Sequence, residues 1–231
     1  MSATIRENLK IVRARIAAAC ERSGRNPAEI TLVAVTKTVP VERVNEAIEA
    51  GVTDIGENRV QEAWEKFPKM KPVTRHLIGH LQTNKVKKAV QIFDWIHSVD
   101  SFHLAEKISR EAEKMGKPMP ILLEVKTSPE ETKFGVPVTQ TAELARQVGL
   151  LPGVQLRGLM TIAPFTADET AIRHSFRTLR LLRDEIRAAA YPGVQMELLS
   201  MGMSGDFEMA IEEGANMVRI GTAIFGPRQT N

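Results

Sequence analysis

Two features of this sequence could do chemistry together: a lysine that closes an apolar run, and a pair of glycine-bearing turns that could hold an anion. Lys37 follows directly on Leu32-Val33-Ala34-Val35-Thr36. Burying an ammonium is costly, so a lysine placed there is pushed toward its neutral, nucleophilic amine, which can form a Schiff base with a carbonyl compound. Its position also allows a plainer role, in which the side chain reaches past the rim of the fold into water or pairs with Glu57. The two turns are SMGMSGD, from Ser200 to Asp206, and RIGT, from Arg219 to Thr222. Gly202 and Gly205 let backbone N–H groups come close to a dianion, and Ser200 and Ser204 add hydroxyls. A helix starting after the first turn would direct its positive end to the same place, and Gly221-Thr222 can act from the other side. Ser204 has the alternative of capping that helix.

What must bring these residues together is a repeated strand–helix unit. Ile5, Leu9, Val12, Ile16 and Ala19 recur at steps of four and three, the period of an amphipathic helix, which ends near Gly24. Thr31 to Lys37 is short, apolar and β-branched, and reads as a strand. Similar runs recur near Thr53 to Gly56, His76 to Gly79, Trp95 to Val99 and Ile121 to Val125, then Leu156 to Thr161, Met196 to Ser200 and Met217 to Gly221, making eight. Between them lie helix-patterned stretches such as Phe102, Ala105, Ile108, Ala112 and Met115. Eight near-continuous apolar strands alternating with helices predict an α/β fold, a single (β/α)8 TIM barrel with an extra N-terminal helix. An open doubly wound sheet would carry a glycine-rich loop after its first strand, where this chain has Thr36-Lys37-Thr38-Val39-Pro40.

The active face of such a barrel is the carboxyl end of its strands. Lys37 closes the first strand, Glu57-Asn58 the second, and His80 follows the third; the two glycine-bearing turns close the seventh and eighth, whose loops bind phosphate in this fold. A reactive lysine and a phosphate cup across one barrel mouth suit a cofactor that carries an aldehyde and a phosphate on one ring. Pyridoxal 5′-phosphate (PLP) fits that description.

The rest of the chain narrows the class. Its 231 residues, 43% hydrophobic and 26% charged, suit one soluble domain spanning 1–231, and barrels of this length form as one unit. No apolar stretch resembles a secretory signal or a membrane span, so a cytoplasmic protein is expected. Cys20 stands alone on an alanine-rich helix and reads as a buried thiol, excluding an internal disulfide or a cysteine zinc site. A net charge of +3 does not call for a nucleic-acid partner, and Lys85, Lys87 and Lys88 read as a solvated helix face.

The motifs VAVTKT at Val33 to Thr38, GENRVQEA at Gly56 to Ala63, HLIGHLQTNK at His76 to Lys85, LMTIAP at Leu159 to Pro164, LSMGMSGDFEMAI and VRIGTAIFG cover nearly the whole chain. Together they resemble the YggS/PROSC family of PLP homeostasis proteins. The resemblance implies a barrel like the N-terminal domain of alanine racemase, with PLP held on Lys37. It further implies phosphate contacts from Ser200, Met201, Gly202, Gly221 and Thr222, a hydrogen bond from Asn58, and Arg219 near the pyridine ring or the phosphate. Arg219 shares strand parity with Gly221 and so should face inward, a surface salt bridge being the alternative. His80 either lines the mouth or caps the next helix. The stretch Leu122 to Val136 keeps Lys133 ahead of Phe134-Gly135 but has Val125 and Lys126 where the family pattern leads us to expect an asparagine nearby.

A PLP racemase needs acid/base groups on both faces of the substrate carbon. In alanine racemase, the resemblance implies, the second is a tyrosine from another domain of the partner subunit. This chain stops at Asn231, and Tyr191, its single tyrosine, falls between a helix and the seventh strand, at the opposite end of the barrel. An arginine at the pyridine nitrogen would also make the ring a poor electron sink. The expectation is a monomeric carrier that holds PLP and yields it to PLP-dependent apoenzymes. A weak amino-acid racemase is the alternative, and a PLP-free phosphosugar isomerase a third reading.

Overall fold

The computed structural model describes residues 4–128 and 134–227. Thr4 opens the first helix, α1 (Ile5–Arg22): its hydroxyl accepts from the Glu7 N–H at 3.2 Å while a Glu7 carboxylate oxygen accepts from the Thr4 N–H at 2.7 Å. That reciprocal pair uses two N–H donors that a helix start otherwise leaves unpaired. The expected stripe of Ile5, Leu9, Val12, Ile16 and Ala19 is buried, with Cys20 beside it. Each of the larger side chains contributes at most about 1.5–3 kcal/mol on burial.

The chain then alternates. Through the first half run β1 (Thr31–Val35), α2 (Val41–Glu49), β2 (Asp54–Glu57), α3 (Val60–Lys66), β3 (Thr74–Leu77), α4 (Val86–Ile92), β4 (Trp95–Val99) and α5 (Phe102–Lys114). The second half adds β5 (Met119–Lys126), β6 (Val136–Pro137), α6 (Val138–Val148), β7 (Val154–Met160), α7 (Glu169–Ala188), β8 (Val194–Ser200), α8 (Phe207–Glu212), β9 (Met217–Ile220) and α9 (Thr222–Phe225). Hydrogen bonding orders the strands β4-β3-β2-β1-β9-β8-β7-β5, and β4 also pairs with β5, so these parallel strands close into the expected eight-stranded barrel. The seam joins β1 to β9, with Thr31 opposite Met217 and Ala34 opposite Ile220.

Two details differ from the expectation. The third strand runs Thr74–Leu77 rather than His76 to Gly79, because Gly79 presses against the Asn58 backbone, where an added Cβ would lie 2.4 Å from the Asn58 carbonyl oxygen. The two-residue β6 was not anticipated; it pairs only with the end of β5, outside the ring. Short, Pro-containing segments carry no periodicity from which to read them.

Side-chain alternation sorts the barrel into two compartments. Ala34, Ile55, Leu77, Ile96, Ile121, Leu123 and Leu159 join the large core between sheet and helices. Val33, Leu122, Met160 and Met217 are buried outside that cluster and fill the barrel axis. α1 lies over the seam: the Asn8 amide donates to the Ile224 carbonyl at 2.9 Å, and Arg15 pairs with Glu208 of α8 at 2.7 Å. No helix among the described residues is long and apolar enough to cross a membrane.

Candidate functional site

At the end of β1 the chain splits its side chains between the two compartments. Lys37 has the parity of Val33 and Val35 and turns toward the mouth, whereas Thr36 turns outward, fully buried, and donates to Glu57 Oε1 at 2.7 Å. The backbone bends sharply here: Thr38 has φ 62°, a left-handed conformation that costs a β-branched residue about 1–2 kcal/mol. The Thr38 N–H donates to Glu62 at 2.7 Å, and the Lys66 ammonium donates to the Thr36 carbonyl at 2.8 Å, to Glu57 at 2.7 Å and to Glu62 at 3.1 Å. Glu57 is therefore partnered by Lys66, not by Lys37, and the plainer reading of Lys37 as the partner of Glu57 is set aside. Burial still holds the Glu57 carboxyl above its usual range despite Lys66 and Thr36, and Glu57 Oε2 is buried without a hydrogen-bond partner.

Lys37, Gly221 and Thr222 meet in one cleft of about 310 Å³, with Val35, Thr38 and Arg43 among its other lining residues. An added Cβ on Gly221 would stand 3.3 Å from the Val35 Cβ and 3.4 Å from its carbonyl oxygen, so glycine lets the two strand ends close together. Arg43, near the start of α2, donates to the Phe225 carbonyl at 2.8 Å and brings a cation to the cleft that sequence reading did not single out.

The β8–α8 turn lies beneath and beside this cleft. Gly202 has φ 92°, and a Cβ there would meet the Ala210 Cβ at 2.6 Å and the Phe207 Cα at 2.9 Å, so only glycine fits. The Met201 side chain is buried in the core, and its N–H donates to the Met217 carbonyl at 3.1 Å. Ser204 does not cap α8; its hydroxyl accepts from the Ala223 N–H at 3.3 Å and ties the two turns together, while Asp206 accepts from the Met203 N–H at 2.5 Å. With six residues, α8 carries little macrodipole, so an anion here would depend on individual donors rather than on a helix end.

Below the mouth, polar side chains cross the barrel interior. Arg219 donates through Nη1 to Ser200 Oγ at 2.7 Å and through Nη2 to the Thr161 carbonyl at 2.8 Å, so it faces inward as its parity predicts and is no surface salt bridge. Ser200 Oγ lies 3.1 Å from His97 Nδ1, His97 Nε2 lies 2.9 Å from His76 Nδ1, and His76 Nε2 lies 2.9 Å from Asp54 Oδ1. Burial lowers Arg219 to about 10, with Glu124 and Asp206 pulling it back up. Burial raises Glu124 to about 7, although Arg219 opposes the shift. Burial, helped by the fields of His76 and Arg219, holds His97 well below the usual imidazole range and thus neutral.

On the strand next to β1, Asn58 follows β2 with its Oδ1 buried and lacking a hydrogen-bond partner. His80 stacks on Phe134 with ring centroids 3.9 Å apart and lies 3.5 Å from Asp100. Gln82, not His80, holds the position before the next helical turn, and no side chain caps that turn, so His80 belongs to the rim rather than to a cap. Glu124 lines a smaller hollow of about 160 Å³ with Lys126, Thr127, Phe134 and Ile162. Lys133 lies outside the described residues. Of the expected residues, then, Lys37, Gly221 and Thr222 share the cleft; Ser200, Met201, Gly202 and Arg219 are packed behind it, and Asn58 closes the strand beside β1. His76, His97 and Glu124 were missed, although each is a polar residue at an inward position of its strand.

Could these residues hold PLP? The geometry fits: a primary amine and close-approaching backbone share one cleft, and the buried Asn58 Oδ1 awaits a donor. No group of His, Cys, Asp and Glu among the described residues could hold a metal ion.

The sequence profile of the N-terminal domain of alanine racemase matches residues 3–229. A pyridoxal phosphate homeostasis protein of Aquifex aeolicus is 44% identical over 225 residues, covering 96% of this chain and 98% of the relative. The structure of PipY from Synechococcus elongatus with PLP bound superposes with a TM-score of 0.86 at 38% identity, covering 96% of this chain and 100% of PipY. The alanine racemase of Clostridium difficile superposes at 0.80 with 16% identity, covering 99% of this chain and 61% of the enzyme, a likeness of fold alone.

Proposed function

The chain belongs to the family of pyridoxal phosphate homeostasis proteins, built on the alanine racemase N-terminal domain, and from that premise we propose that it binds PLP through Lys37 and serves intracellular vitamin B6 homeostasis. The observation that carries the proposal is the meeting of Lys37 with Gly221 and Thr222 in one cleft, directly above Ser200 and Arg219. When bound, PLP supplies an aldehyde that condenses with a primary amine.

Each residue then has a task. The turn at Thr38, braced by Glu62 and Lys66, presents the Lys37 amine to the mouth. Gly221, Thr222, Ser200 and Gly202 would hold the phosphate from the two tied turns, with Met201 seating its turn through its buried side chain and its N–H on the Met217 carbonyl, and Asn58 and Arg219 would orient the ring. The Arg219 guanidinium keeps its proton at neutral pH even when buried, so it discourages protonation of a ring nitrogen set beside it.

Racemisation needs a second acid/base group on the far face of the bound amino acid. Tyr191, the single tyrosine, lies between α7 and β8 at the opposite end of the barrel, which does not favour the racemase reading. We therefore read the protein as a monomeric carrier that hands PLP to apoenzymes, with no efficient turnover of its own. The test is a visible absorption spectrum of the purified protein with PLP. A band that disappears on borohydride reduction, with the pyridoxyl label mapped to Lys37 and lost in Lys37→Ala, is the expected result. A label mainly on another lysine overturns the assignment, and turnover of any amino acid at about ten per second overturns the carrier reading.

A further inference from the structure

The chain of side chains from Asp54 to Arg219 carries information about its own protons. Arginine donates only, so Ser200 Oγ must accept at its 2.7 Å contact with Arg219. An ionised carboxylate accepts only, so the proton between Asp54 and His76 sits on His76 Nε2. Burial pushes the Asp54 carboxyl up, but hydrogen bonds from His76 and Thr53 more than offset it and keep the group ionised. While His76 is neutral, its Nδ1 must accept from His97 Nε2–H, and His97 Nδ1 must accept from the Ser200 hydroxyl. Every hydrogen bond then points from Arg219 toward Asp54, and the single proton of Ser200 points down into the barrel.

That arrangement leaves Ser200 nothing to donate upward. The alternative arrangement differs by one proton. His76 carries a proton on each nitrogen and donates to both Asp54 and His97 Nε2. The proton of His97 then sits on Nδ1 and is donated to Ser200. Ser200 accepts from His97 and Arg219 together, and its own O–H is released toward the mouth. We infer that His76 and His97 are positioning residues for Ser200, whose hydroxyl donates to a ligand's phosphate only when one proton has been taken up at His76. No bond other than N–H and O–H changes, and the proton comes from water.

The surroundings permit the exchange. Asp54 opens β2 at the lower end of the barrel, where it lines a cavity of about 490 Å³ with Arg13, Thr31 and Thr53, and its side chain is 19% exposed. His76 is faced by Asp54, by His97, and by the Trp95 ring stacked at 5.9 Å, behind which Arg157 pairs with Glu197 at 2.6 Å. Arg219, at the upper end, lies in the fields of Glu124 and Asp206. His97 stays neutral in both arrangements and changes only its tautomer, which suits its complete burial.

The inference rests on the proposed function in one respect, that a ligand phosphate reaches Ser200. The experiment uses protein labelled with ¹⁵N-histidine, whose five histidines give few signals, with PLP and pyridoxal as probes above pH 7.5, where the phosphate is a dianion. Ligand-free and with pyridoxal, His76 and His97 should both be neutral Nε2–H tautomers. With PLP, His97 should show Nδ1–H and His76 two protons. Calorimetry in buffers of different protonation enthalpy should then read about one more proton taken up with PLP than with pyridoxal, so that the preference for PLP falls by about tenfold per pH unit. Asp54→Asn should abolish this pH dependence while leaving the band on Lys37. His97 remaining Nε2–H with PLP bound, or no extra proton uptake, overturns the inference. Ser200→Ala separates the two ideas: undiminished PLP affinity in that variant refutes phosphate contact at Ser200, whereas lost affinity without a tautomer change in the parent refutes only the chain.

Discussion

Strand β2 carries two carboxylates on opposite faces, Glu57 buried and Asp54 half-buried, and they are handled in opposite ways. Glu57 points outward and is met within its own βα unit by Lys66, with Thr36 from the neighbouring strand end. Asp54 points inward and reaches a cation only through His76, His97 and Ser200, across the barrel. The outer charge is matched locally and braces the turn that presents Lys37. The inner one is matched at a distance through groups that can each change proton or tautomer. A compact ion pair makes a good brace because it has one arrangement; a chain of imidazoles and a hydroxyl has two. The barrel thus keeps its rigid charges against the helices and its adjustable ones along the axis.

The largest expected effect comes from breaking the outer pair. Lys66→Ala leaves Glu57 buried and unpaired, and should cost about 3 kcal/mol, or roughly 6–12 °C in Tm. Adding Glu57→Gln should restore most of the loss in a thermal melt. If Lys66→Ala melts within about 1 °C of the parent, the outer network is not a brace. Asp54→Asn, with water at hand, should shift Tm far less than Lys66→Ala, and an equal shift would erase the contrast between the two faces.

An intermediate effect tests the inner face through pH. Glu124 titrates near 4.5 when unfolded and at about 7 when folded, so the folded state binds the extra proton between those values. Its contribution is present below about pH 4.5 and is lost as pH rises to about 7, at most about 3 kcal/mol in all. Glu124→Gln should flatten that part of the stability profile measured by urea unfolding at successive pH values. An unchanged slope would mean that Glu124 is ionised throughout.

The smallest effect belongs to the turn between the two networks. Thr38→Gly removes the left-handed strain but adds chain entropy, so a gain below about 1 kcal/mol is expected. A loss larger than that would show that the Thr38 side chain itself holds the turn.

Much of this was legible in the sequence. The apolar run ending at Lys37 and the paired turns at Ser200 and Gly221 could be recognised because strand ends and glycine-bearing turns are local signals. The interior chain could not. His76, His97 and Ser200 are separated by 21 and 103 positions along the chain, and each sits in a segment whose apolar neighbours dominate the pattern. Lys66 was hidden for a similar reason: on α3 it looks like any exposed helix lysine, and only the closed barrel brings Glu57 and the Thr36 carbonyl beneath it. The third strand was read two residues late because Ile78 and Gly79 extend an apolar run that the close contact with Asn58 interrupts.

The seat of α1 on the last two helices also has a consequence for synthesis on the ribosome. The Asn8 amide finds its Ile224 carbonyl only after 216 further positions have been added, which at ordinary elongation rates takes roughly 10–40 s. Throughout that interval the apolar stripe of Ile5, Leu9, Val12 and Ile16 has no α8 or α9 to cover it. The nascent chain therefore carries an uncovered amphipathic helix, a ready target for chaperones that hold such surfaces until the ring can shut.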